Sequence, residues 1–469
     1  MAEINPNNLI QRTGDPFADT GGYVIKLLYT QRDFKEKRIL DLIEYAAKIY
    51  VDSWDSKLNA FFLNSKITQP AFKRDQKISE TLKYYQSLID ETATGYEGYC
   101  RISGRKTKLF PAGRDNHILS GSGTFINFHH SFESGLFLSK EVLIRMFFVP
   151  LGLVQLSDKI ALIYSSNEAV SEFFINQNLQ NNLRELGSGI SEGILRSSFN
   201  NPANALFEFI NDCLLQIPII MPKEHDEIRT ENTPSLTLYH FTNFGAGPDV
   251  VIHKLSSEVF YFYAFCNRPL FKNEWNKFIR SNYENKKAKA VFNQATEVWE
   301  GKEKAEYDTY KTWKNNVFQN LINNKSILPN IIKWVSIHPF PFNIVEIYQT
   351  LIRNMEKRTI EKIKHVADFI VSNKDADYIK RCIGRLNREK SPNGLRLFML
   401  RLTEQNYNQD GKEPLINVDD YAEYLFPDGI NWREVRDLLL IAIYERLHAL
   451  KIKVEAELIE DENESTTEN

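Results

Sequence analysis

The spacing of apolar positions separates a mixed first part of the chain from a helical last part. Apolar residues recur every three or four positions near the start of the chain, at Ile39, Leu42, Ile43, Ala46, Ala47 and Tyr50. This period predicts a helix with one buried face. Six glycines interrupt any such period over residues 95–130, which predicts loops and short strands there. The mostly apolar run from Leu136 to Val149 predicts another helix.

Two apolar runs flank a glycine-rich turn in the middle of the chain. The first ends at Phe241, the turn is Gly245–Pro248, and the second run begins at Val250. This arrangement predicts a two-stranded hairpin with a longer loop. Farther along, prolines within His338–Phe342 exclude a helix and indicate a domain boundary.

Beyond that boundary every periodic segment is helical. One set of apolar positions fits a single helix face: Ile344, Ile347, Tyr348, Leu351, Ile352 and Met355. The last helix is predicted to begin at Asn431, a favourable N-cap residue, with Glu434 as its capping-box partner. Short polar connections between such helices are typical of a bundle.

These patterns predict an α+β protein with a mixed helix and strand N-terminal domain and an all-α C-terminal helical bundle. The N-terminal domain covers 1–340 and includes a distinct region at 95–143. The bundle covers 341–454. The tail at 455–469 is predicted to be disordered, since it is strongly acidic.

Composition narrows the class of protein further. The chain has 469 residues, enough for two or three domains. No apolar run approaches the roughly 20 residues of a membrane span, and the first residues lack an apolar signal core. The four cysteines are far apart, which favours incidental thiols in a reducing compartment over disulfides. We therefore expect a cytoplasmic protein that does not associate with a membrane.

The net charge of −3 conceals two basic clusters. Residues 454–469 contain seven acidic side chains and no basic one, so the rest of the chain carries +4. The first cluster has five basic and no acidic residues: Arg101, Arg105, Lys106, Lys108 and Arg114. The second, from Lys357 to Arg401, has twelve basic and five acidic residues. The excess in the second cluster favours contact with nucleic acid over a solvated surface.

Several short motifs occur in a characteristic order. The chain opens with Asp15-Pro16-Phe17 followed by Asp19-Thr20-Gly21, and continues with Tyr99-Cys100, a glycine-rich turn at 121–124 and Asn127. A strand pair is predicted later, at 237–255. In this order the motifs resemble the CXXC–CXXC family of large subunits of type I-B Cascade, the CRISPR surveillance complex.

The resemblance implies that 95–143 is a degenerate zinc-finger-like region, because the match fails at the zinc ligands of that family. Cys100 is retained, but Ser103, Ser139 and Val142 stand at the other three ligand positions. One thiolate does not make a tetrahedral structural zinc site, so we predict no metal and no other cofactor. A rescue by His117, His129 and His130 is the alternative.

The resemblance implies a function without catalysis. A subunit of this kind recognises the protospacer-adjacent motif on double-stranded DNA, supports unwinding and R-loop formation, and helps recruit a helicase-nuclease or a transposition partner. Its other partners are the guide RNA and the backbone, guide-end-capping and small subunits of the complex.

The motif-reading residues are predicted in the glycine-rich turn. Small hydroxyl and amide groups suit the minor groove, so the candidates are Ser122, Thr124 and Asn127. An ordinary tight turn is the alternative for each of them. The first basic cluster is predicted to contact DNA phosphates, with a solvated loop as the alternative.

The second cluster is predicted to line a groove for the displaced strand. Its candidates are Lys357, Arg358, Lys362, Lys364, Lys380, Arg381, Arg385 and Arg388, with Lys390 and Arg396 nearby. The resemblance also implies that this region is similar to a separate Cascade small subunit. Met355 is a candidate internal start for such a product, although its spacing equally fits the end of a helix.

Motifs of common enzymes are absent or out of context. There is no GxxxxGK[ST] or HExxH pattern, and the GxSxG string around Ser191 follows a polar, helix-like segment rather than a strand. The histidine clusters His129-His130 and His225-Asp226 lack partners at motif spacing. A metal-dependent nuclease of a defence system and a non-catalytic scaffold protein remain as alternative functions.

Overall fold

Helices predominate over strands in this protein, and the last part is helical. The computed structural model describes residues 4–120, 135–217, 233–242, 249–285, 287, 289–301, 304–372, 375–409, 413–427 and 431–454. Within these residues helices and strands are mixed up to 315, and helices alone follow. The predicted α+β class with a helical C-terminal region is therefore confirmed.

Seventeen α-helices lie within the described residues. They are α1 (Pro6–Ile10), α2 (Pro16–Thr30), α3 (Ile39–Ile49), α4 (Arg74–Ile89), α5 (Lys140–Phe148), α6 (Glu168–Gly187), α7 (Pro202–Gln216), α8 (Ser257–Cys266), α9 (Lys272–Ser281), α10 (Tyr307–Tyr310), α11 (Asn316–Ile322), α12 (Leu328–Val335), α13 (Phe342–Ile347), α14 (Lys357–Ser372), α15 (Ala376–Arg388), α16 (Pro392–Asn408) and α17 (Trp432–Leu450). The helix predicted from the period at 39–50 is α3.

The strands of the described part are short and antiparallel. They are β1 (Tyr96–Tyr99), β2 (Lys106–Ala112), β3 (Leu136–Ser139), β4 (Val154–Leu156), β5 (Lys159–Ser165), β6 (Leu236–Thr242), β7 (Asp249–Leu255), β8 (Tyr283–Glu284), β9 (Val291–Asn293), β10 (Val298–Glu300), β11 (Lys304–Ala305) and β12 (Lys314–Asn315). The two larger sheets have the orders β1-β2-β3 and β4-β5-β6-β7. The predicted hairpin is confirmed as the pair β6 and β7.

Contacts group the chain into two compact units. The first consists of 1–221, 231–257 and 311–313, and the second of 222–230, 258–310 and 314–469. Residues on both sides of the predicted boundary at 341 belong to the second unit, so that boundary stays a prediction. None of the described helices is long and apolar enough to cross a membrane.

One predicted helix is wrong in its first turn. Leu136–Ser139 forms β3 and pairs with β2, with Leu138 opposite Phe110, and the helix begins only at Lys140. Ser139 is its N-cap, since its hydroxyl accepts from the backbone N–H of Val142. A mostly apolar run does not separate a buried strand from a buried helix, which is why the pattern misled.

The opening motif of the chain has a packing role in the first unit. Asp15 caps α2 by accepting the N–H groups of Phe17 and Ala18. Asp19 is 2% exposed and accepts from the Thr13 hydroxyl and the Tyr164 hydroxyl at 2.7 and 2.8 Å. A Cβ atom at Gly21 would lie 2.0 Å from a carbonyl oxygen of α5, so the close approach of α2 to α5 requires glycine.

The second unit is built around α17, which packs against α12 and α14. Asn431 is the N-cap of α17, as predicted. The role predicted for Glu434 is wrong: its carboxylate instead pairs with Arg353 at 2.6 Å.

The helix predicted from the apolar positions at 344–355 ends early, because α13 passes into a π-helical turn that stops at Ile352. Met355 lies in the connection that precedes α14.

Candidate nucleic-acid interface

The turn after β1 is the centre of the first candidate region. Cys100 follows β1 directly, its backbone N–H donates to the carbonyl of Arg105, and its carbonyl accepts from Gly104. Gly104 has φ of +67°, a left-handed conformation that glycine adopts without strain. The chain thus reverses within five residues and enters β2 at Lys106.

The Cys100 sulfur contacts residues from both of the predicted ligand pairs, the pair at 100 and 103 and the pair at 139 and 142. Its Sγ accepts from the backbone N–H of Ser103 at 3.5 Å and from that of Ser139 at 3.4 Å. Ser139 in turn caps α5 through the N–H of Val142, at 3.4 Å. The turn after β1 and the start of α5 therefore meet at one thiol that is 2% exposed.

The surroundings of Cys100 favour the thiolate. Burial alone would raise the pKa of this thiol, but hydrogen bonds from the Ser103 side chain and from the N–H groups of Ser103 and Ser139 outweigh burial. The pKa of Cys100 therefore lies below its ordinary value. N–H groups that point at sulfur stabilise the negative charge as a cation would.

The donor set at this position does not fit a tetrahedral zinc ion. Cys100 offers one sulfur, the Ser139 hydroxyl is used to cap a helix, and Val142 has no donor atom. No group of three or more metal-ligating side chains lies within the described residues. His117 bonds Ser120 at 2.6 Å, and His129 and His130 lie outside the described residues. The absence of a metal stays a prediction.

The first basic cluster is divided between a short strand and the turns beside it, as the prediction of loops and short strands over 95–130 allowed. Lys106 and Lys108 lie on β2, the middle strand of its sheet, and only Arg101, Arg105 and Arg114 lie in the flanking turns. Gly104 and Gly113 flank this strand. Lys106 and Lys108 therefore project from the hydrogen-bonded backbone of a sheet.

Part of that cluster is bound to neutral oxygen atoms. Arg105 donates to the Gln11 side chain at 3.3 Å, and Lys108 donates to the carbonyl of Glu91. Lys106 is exposed, opposite Tyr99 in the sheet. The predicted motif readers Ser122, Thr124 and Asn127 lie outside the described residues, so their assignment stays a prediction.

The cations of α14 are engaged with the surrounding helices. Lys362 pairs with Asp420 at 2.7 Å, and that carboxylate is 2% exposed. Lys364 pairs with Glu346 at 2.8 Å. Both partners are distant in sequence, so no spacing within α14 could have revealed them.

Two further members of the predicted groove lie at the start of α14. The Arg358 guanidinium stacks over the Tyr424 ring at 4.5 Å and donates to its hydroxyl at 3.1 Å. Lys357 is exposed at the first position of α14. Arg358 is thus partly used in packing, whereas Lys357 is turned to solvent.

Helix α15 presents its cations differently. Arg381, Arg385 and Arg388 are spaced four and three positions apart, so they follow one face of the helix. Arg381 and Arg388 are exposed, and Lys380 is exposed beside them. Arg385 is half-buried over the Phe398 ring, 5.4 Å from its centroid. Together these four residues form a surface that we call the α15 basic face.

The structure explains the nucleophile-like string around Ser191. The preceding segment is α6, a helix as the sequence suggested. The Ser191 hydroxyl donates to the Gly193 carbonyl and accepts from the Trp54 indole, both at 3.0 Å. The Ser191 hydroxyl therefore links its own loop to the segment that contains Trp54. The histidine cluster His225-Asp226 lies outside the described residues.

Comparison with known protein families gives a match for the C-terminal part of the chain. No curated protein matches the chain. Residues 333–469 match the DevT C-terminal domain. DevT is a CRISPR-associated protein similar to Cascade large subunits, so the C-terminal region resembles that of a CRISPR-associated protein.

The DevT-like region contains the α15 basic face. It begins at the end of α12 and includes α13 to α17. The match covers less than a third of the chain and leaves the sheet around Cys100 outside. The resemblance seen in the first unit and the match in the second therefore rest on different residues.

Proposed function

We propose that the chain is the large subunit of a type I-B Cascade complex. In this role it recognises the protospacer-adjacent motif on double-stranded DNA, supports unwinding and R-loop formation, and helps recruit a helicase-nuclease or a transposition partner. It performs no chemistry itself. It acts in the cytoplasm with the guide RNA and the backbone, guide-end-capping and small subunits.

The observation that supports this proposal most is the meeting of two chain segments at Cys100. In the family that the sequence resembles, two cysteine pairs share one zinc ion, so their positions lie together in space. Here Ser103 and Ser139 both donate to the Cys100 sulfur. Three of the four positions therefore meet at one sulfur, and the backbone of the fourth, Val142, is bonded to Ser139. This closeness supports the proposal.

The helical part adds an independent line of support. The DevT match covers α13 to α17, where the α15 basic face provides exposed cations for a phosphate backbone. A product that starts at Met355 would begin just before α14 and would contain α14 to α17. Such a product would lack α12, against which α17 packs in the full chain.

The experiment is binding of duplex DNA by the complex assembled with guide RNA and its neighbouring subunits. Matched targets with and without the flanking motif are compared for the wild-type chain, for Asn127→Ala, and for Arg105, Lys106 and Lys108 changed together to alanine. We expect the Asn127 change to remove the preference for the motif and the basic changes to weaken both targets equally.

A matched control removes three basic residues elsewhere in the first unit. Arg32, Lys35 and Lys37 are exposed in the connection between α2 and α3, and their replacement by alanine should leave binding unchanged. Unaltered motif preference in both test variants would place recognition in another loop. Failure to form a guide-dependent complex would contradict the proposal and favour a scaffold. DNA degradation by the purified chain with a divalent metal would favour the nuclease.

A further inference from the structure

The cations of the α15 basic face have no carboxylate partner within the part of the chain that the structure describes. Lys380 and Arg381 are exposed on the first half of α15. Arg388 is exposed at its end and donates to the carbonyl of Gly384 in the same helix, at 2.9 Å. The positive charge of this face is therefore left for a ligand that carries several negative charges.

The chain itself contains a segment of the opposite charge. Residues 455–469, which we call the acidic tail, carry seven carboxylates and no basic side chain. Four of the seven fall within 460–464. Blocks of like charge often act as interaction tails that bind an oppositely charged surface. A row of carboxylates presents to a basic face much the same charge as a phosphate backbone does.

The acidic tail follows the end of α17. Lys451 has φ of +55° and closes that helix, and the N–H of Ile452 donates to the Leu447 carbonyl at 3.0 Å. A left-handed cap of this kind turns the chain away from the helix. Arg446, about one turn earlier, pairs with Asp368 near the end of α14, at 2.7 Å. The end of α17 and the end of α14 therefore lie together.

Helix α15 begins at this same end of the bundle. It contacts α17 and starts only three residues after the last residue of α14. At its other end, the Glu389 carbonyl accepts from Arg436, which lies in the first turns of α17, at 2.9 Å. Helices α15 and α17 therefore run in opposite directions. Lys380 and Arg381 thus lie in the half of α15 that is nearer to the start of the acidic tail.

The acidic tail is long enough to cover the whole α15 basic face. Helix α15 has 13 residues and, at about 1.5 Å per residue, is about 20 Å long. The 15 residues of the tail can span up to about 50 Å. A ligand tethered this closely acts at an effective concentration of about 1 mM, so even a site with a Kd of about 100 µM is about 90% occupied.

We propose that the acidic tail binds the α15 basic face of its own chain and competes there with the phosphate backbone of a nucleic acid. Carboxylates of the tail take the place of phosphates at Lys380, Arg381 and Arg388. A strand that touches only one or two of these cations is rejected, whereas a strand that contacts the whole face displaces the tail. The inference rests on the proposed function in that it takes nucleic acid as the competitor.

The first experiment measures tail binding without nucleic acid. In a neutral-tail variant of the full chain, Asp461→Asn is combined with Glu→Gln at 455, 457, 460, 462, 464 and 468. This variant is titrated against a fluorescein-labelled peptide of residues 454–469 at low salt, and fluorescence polarisation reports binding. The α15 triple variant adds Lys380→Gln, Arg381→Gln and Arg388→Gln. It should bind the peptide about tenfold more weakly, since three exposed ion pairs are lost.

A matched control removes three exposed cations of the first unit. It carries Arg32→Gln, Lys35→Gln and Lys37→Gln and so has the same net charge as the α15 triple variant. Peptide binding by this control should equal that of the neutral-tail variant alone.

The second experiment measures competition with a 5′-fluorescein-labelled 12-nucleotide thymine strand. We expect the neutral tail to tighten strand binding about tenfold, which is the factor by which a tethered competitor at about 1 mM with a Kd of about 100 µM weakens it. A neutral tail also makes the whole chain more positive. The gain is therefore measured again with the three α15 changes present, where it should vanish, and with the three control changes present, where it should remain.

Four results would count against the proposal or its basis. Equal peptide binding by the α15 triple variant and the control, each with an unchanged melting temperature, overturns the binding site of the tail. A tenfold gain that persists with the α15 changes shows that net charge alone acts and overturns the competition. Elution of the wild type as a dimer that the neutral tail converts to a monomer places the tail on a second copy. Peptide binding without strand binding by any variant leaves the tail contact in place and contradicts the proposed function.

Discussion

The two basic clusters differ in what their cations contact. In and beside the sheet around β2, Arg105 and Lys108 donate to neutral oxygens of Gln11 and Glu91. In α14, by contrast, Lys362 is bound to a carboxylate that is almost fully buried. The α15 basic face presents most of its charge to solvent. The basic residues that the sequence shows as clusters therefore have three different surroundings in the structure: neutral oxygens, a buried carboxylate and solvent.

This difference teaches that the partner of a cation determines its role. A lysine beside a buried carboxylate compensates a charge that has left water, and such a lysine is not available to a phosphate. A cation on an exposed helix face has little to stabilise within the protein and is available to a ligand. The predicted groove on α14 and α15 thus divides into a structural part and a part suited to binding.

The largest expected effect is the loss of the Lys362 charge. Lys362→Met leaves the buried Asp420 carboxylate without its cationic partner, so the free energy of unfolding should fall by about 3–5 kcal/mol. Urea denaturation followed by circular dichroism measures the change. Lys357→Met is the control, because Lys357 is exposed at the start of the same helix, and it should change stability by less than about 0.5 kcal/mol. Equal effects of the two changes would contradict the division of the cluster.

The next effect concerns acid and belongs to the sheet region. Burial lowers the pKa of His117 to about 4. The unfolded histidine titrates near 6.5, so between about pH 6.5 and 4 the unfolded state binds the extra proton and stability falls as the pH falls. His117→Gln should remove about 3 kcal/mol of the stability that is lost between pH 7 and pH 4, since each pKa unit corresponds to about 1.4 kcal/mol. Thermal melts from pH 4 to 7 measure it, and parallel profiles of variant and wild type would contradict it.

The smallest effect contrasts a thiol of the sheet with a thiol of α15. Burial raises the pKa of Cys382, whereas the pKa of Cys100 is lowered because its hydrogen bonds outweigh burial. As the pH rises toward the ordinary thiol pKa, the folded state loses the Cys100 proton first and gains stability. Above that pKa the unfolded state loses the Cys382 proton first, so stability falls.

Alanine variants separate these two contributions. Between pH 7.5 and 10, Cys100→Ala should remove a stabilising slope and Cys382→Ala a destabilising one, each change being about 1 kcal/mol or less. At neutral pH Cys100→Ala should also cost about 1 kcal/mol, because two N–H groups lose their acceptor. If both substitutions altered the pH dependence of stability in the same direction, the difference between the two thiols would be contradicted.

Much of the fold could be predicted because its signals are local. The period at 39–50, the paired runs of β6 and β7 and the Asn431 cap each depend on residues a few positions apart. The errors came where local signals are ambiguous. Residues 136–139 are apolar in both a buried strand and a buried helix, and Glu434 suits a capping box but meets Arg353 instead.

The candidate site could be predicted only in part, for a related reason. The order of short motifs indicated which positions belong with Cys100, and the sulfur does contact Ser103 and Ser139. No local pattern could pair Lys362 with Asp420, 58 positions away. That pair depends on packing between segments that are distant in sequence.

The most direct test measures how salt affects target binding by the assembled complex. Lys380, Arg381 and Arg388 are changed together to glutamine, and Arg358→Gln with Lys364→Gln serves as the comparison on α14. The account predicts that the slope of log affinity against log salt falls by about three for the α15 variant, because three phosphate contacts are lost. It predicts an unchanged slope for the α14 variant. A reduced slope in the α14 variant alone, or in neither, would contradict the assignment of the α15 basic face to nucleic acid.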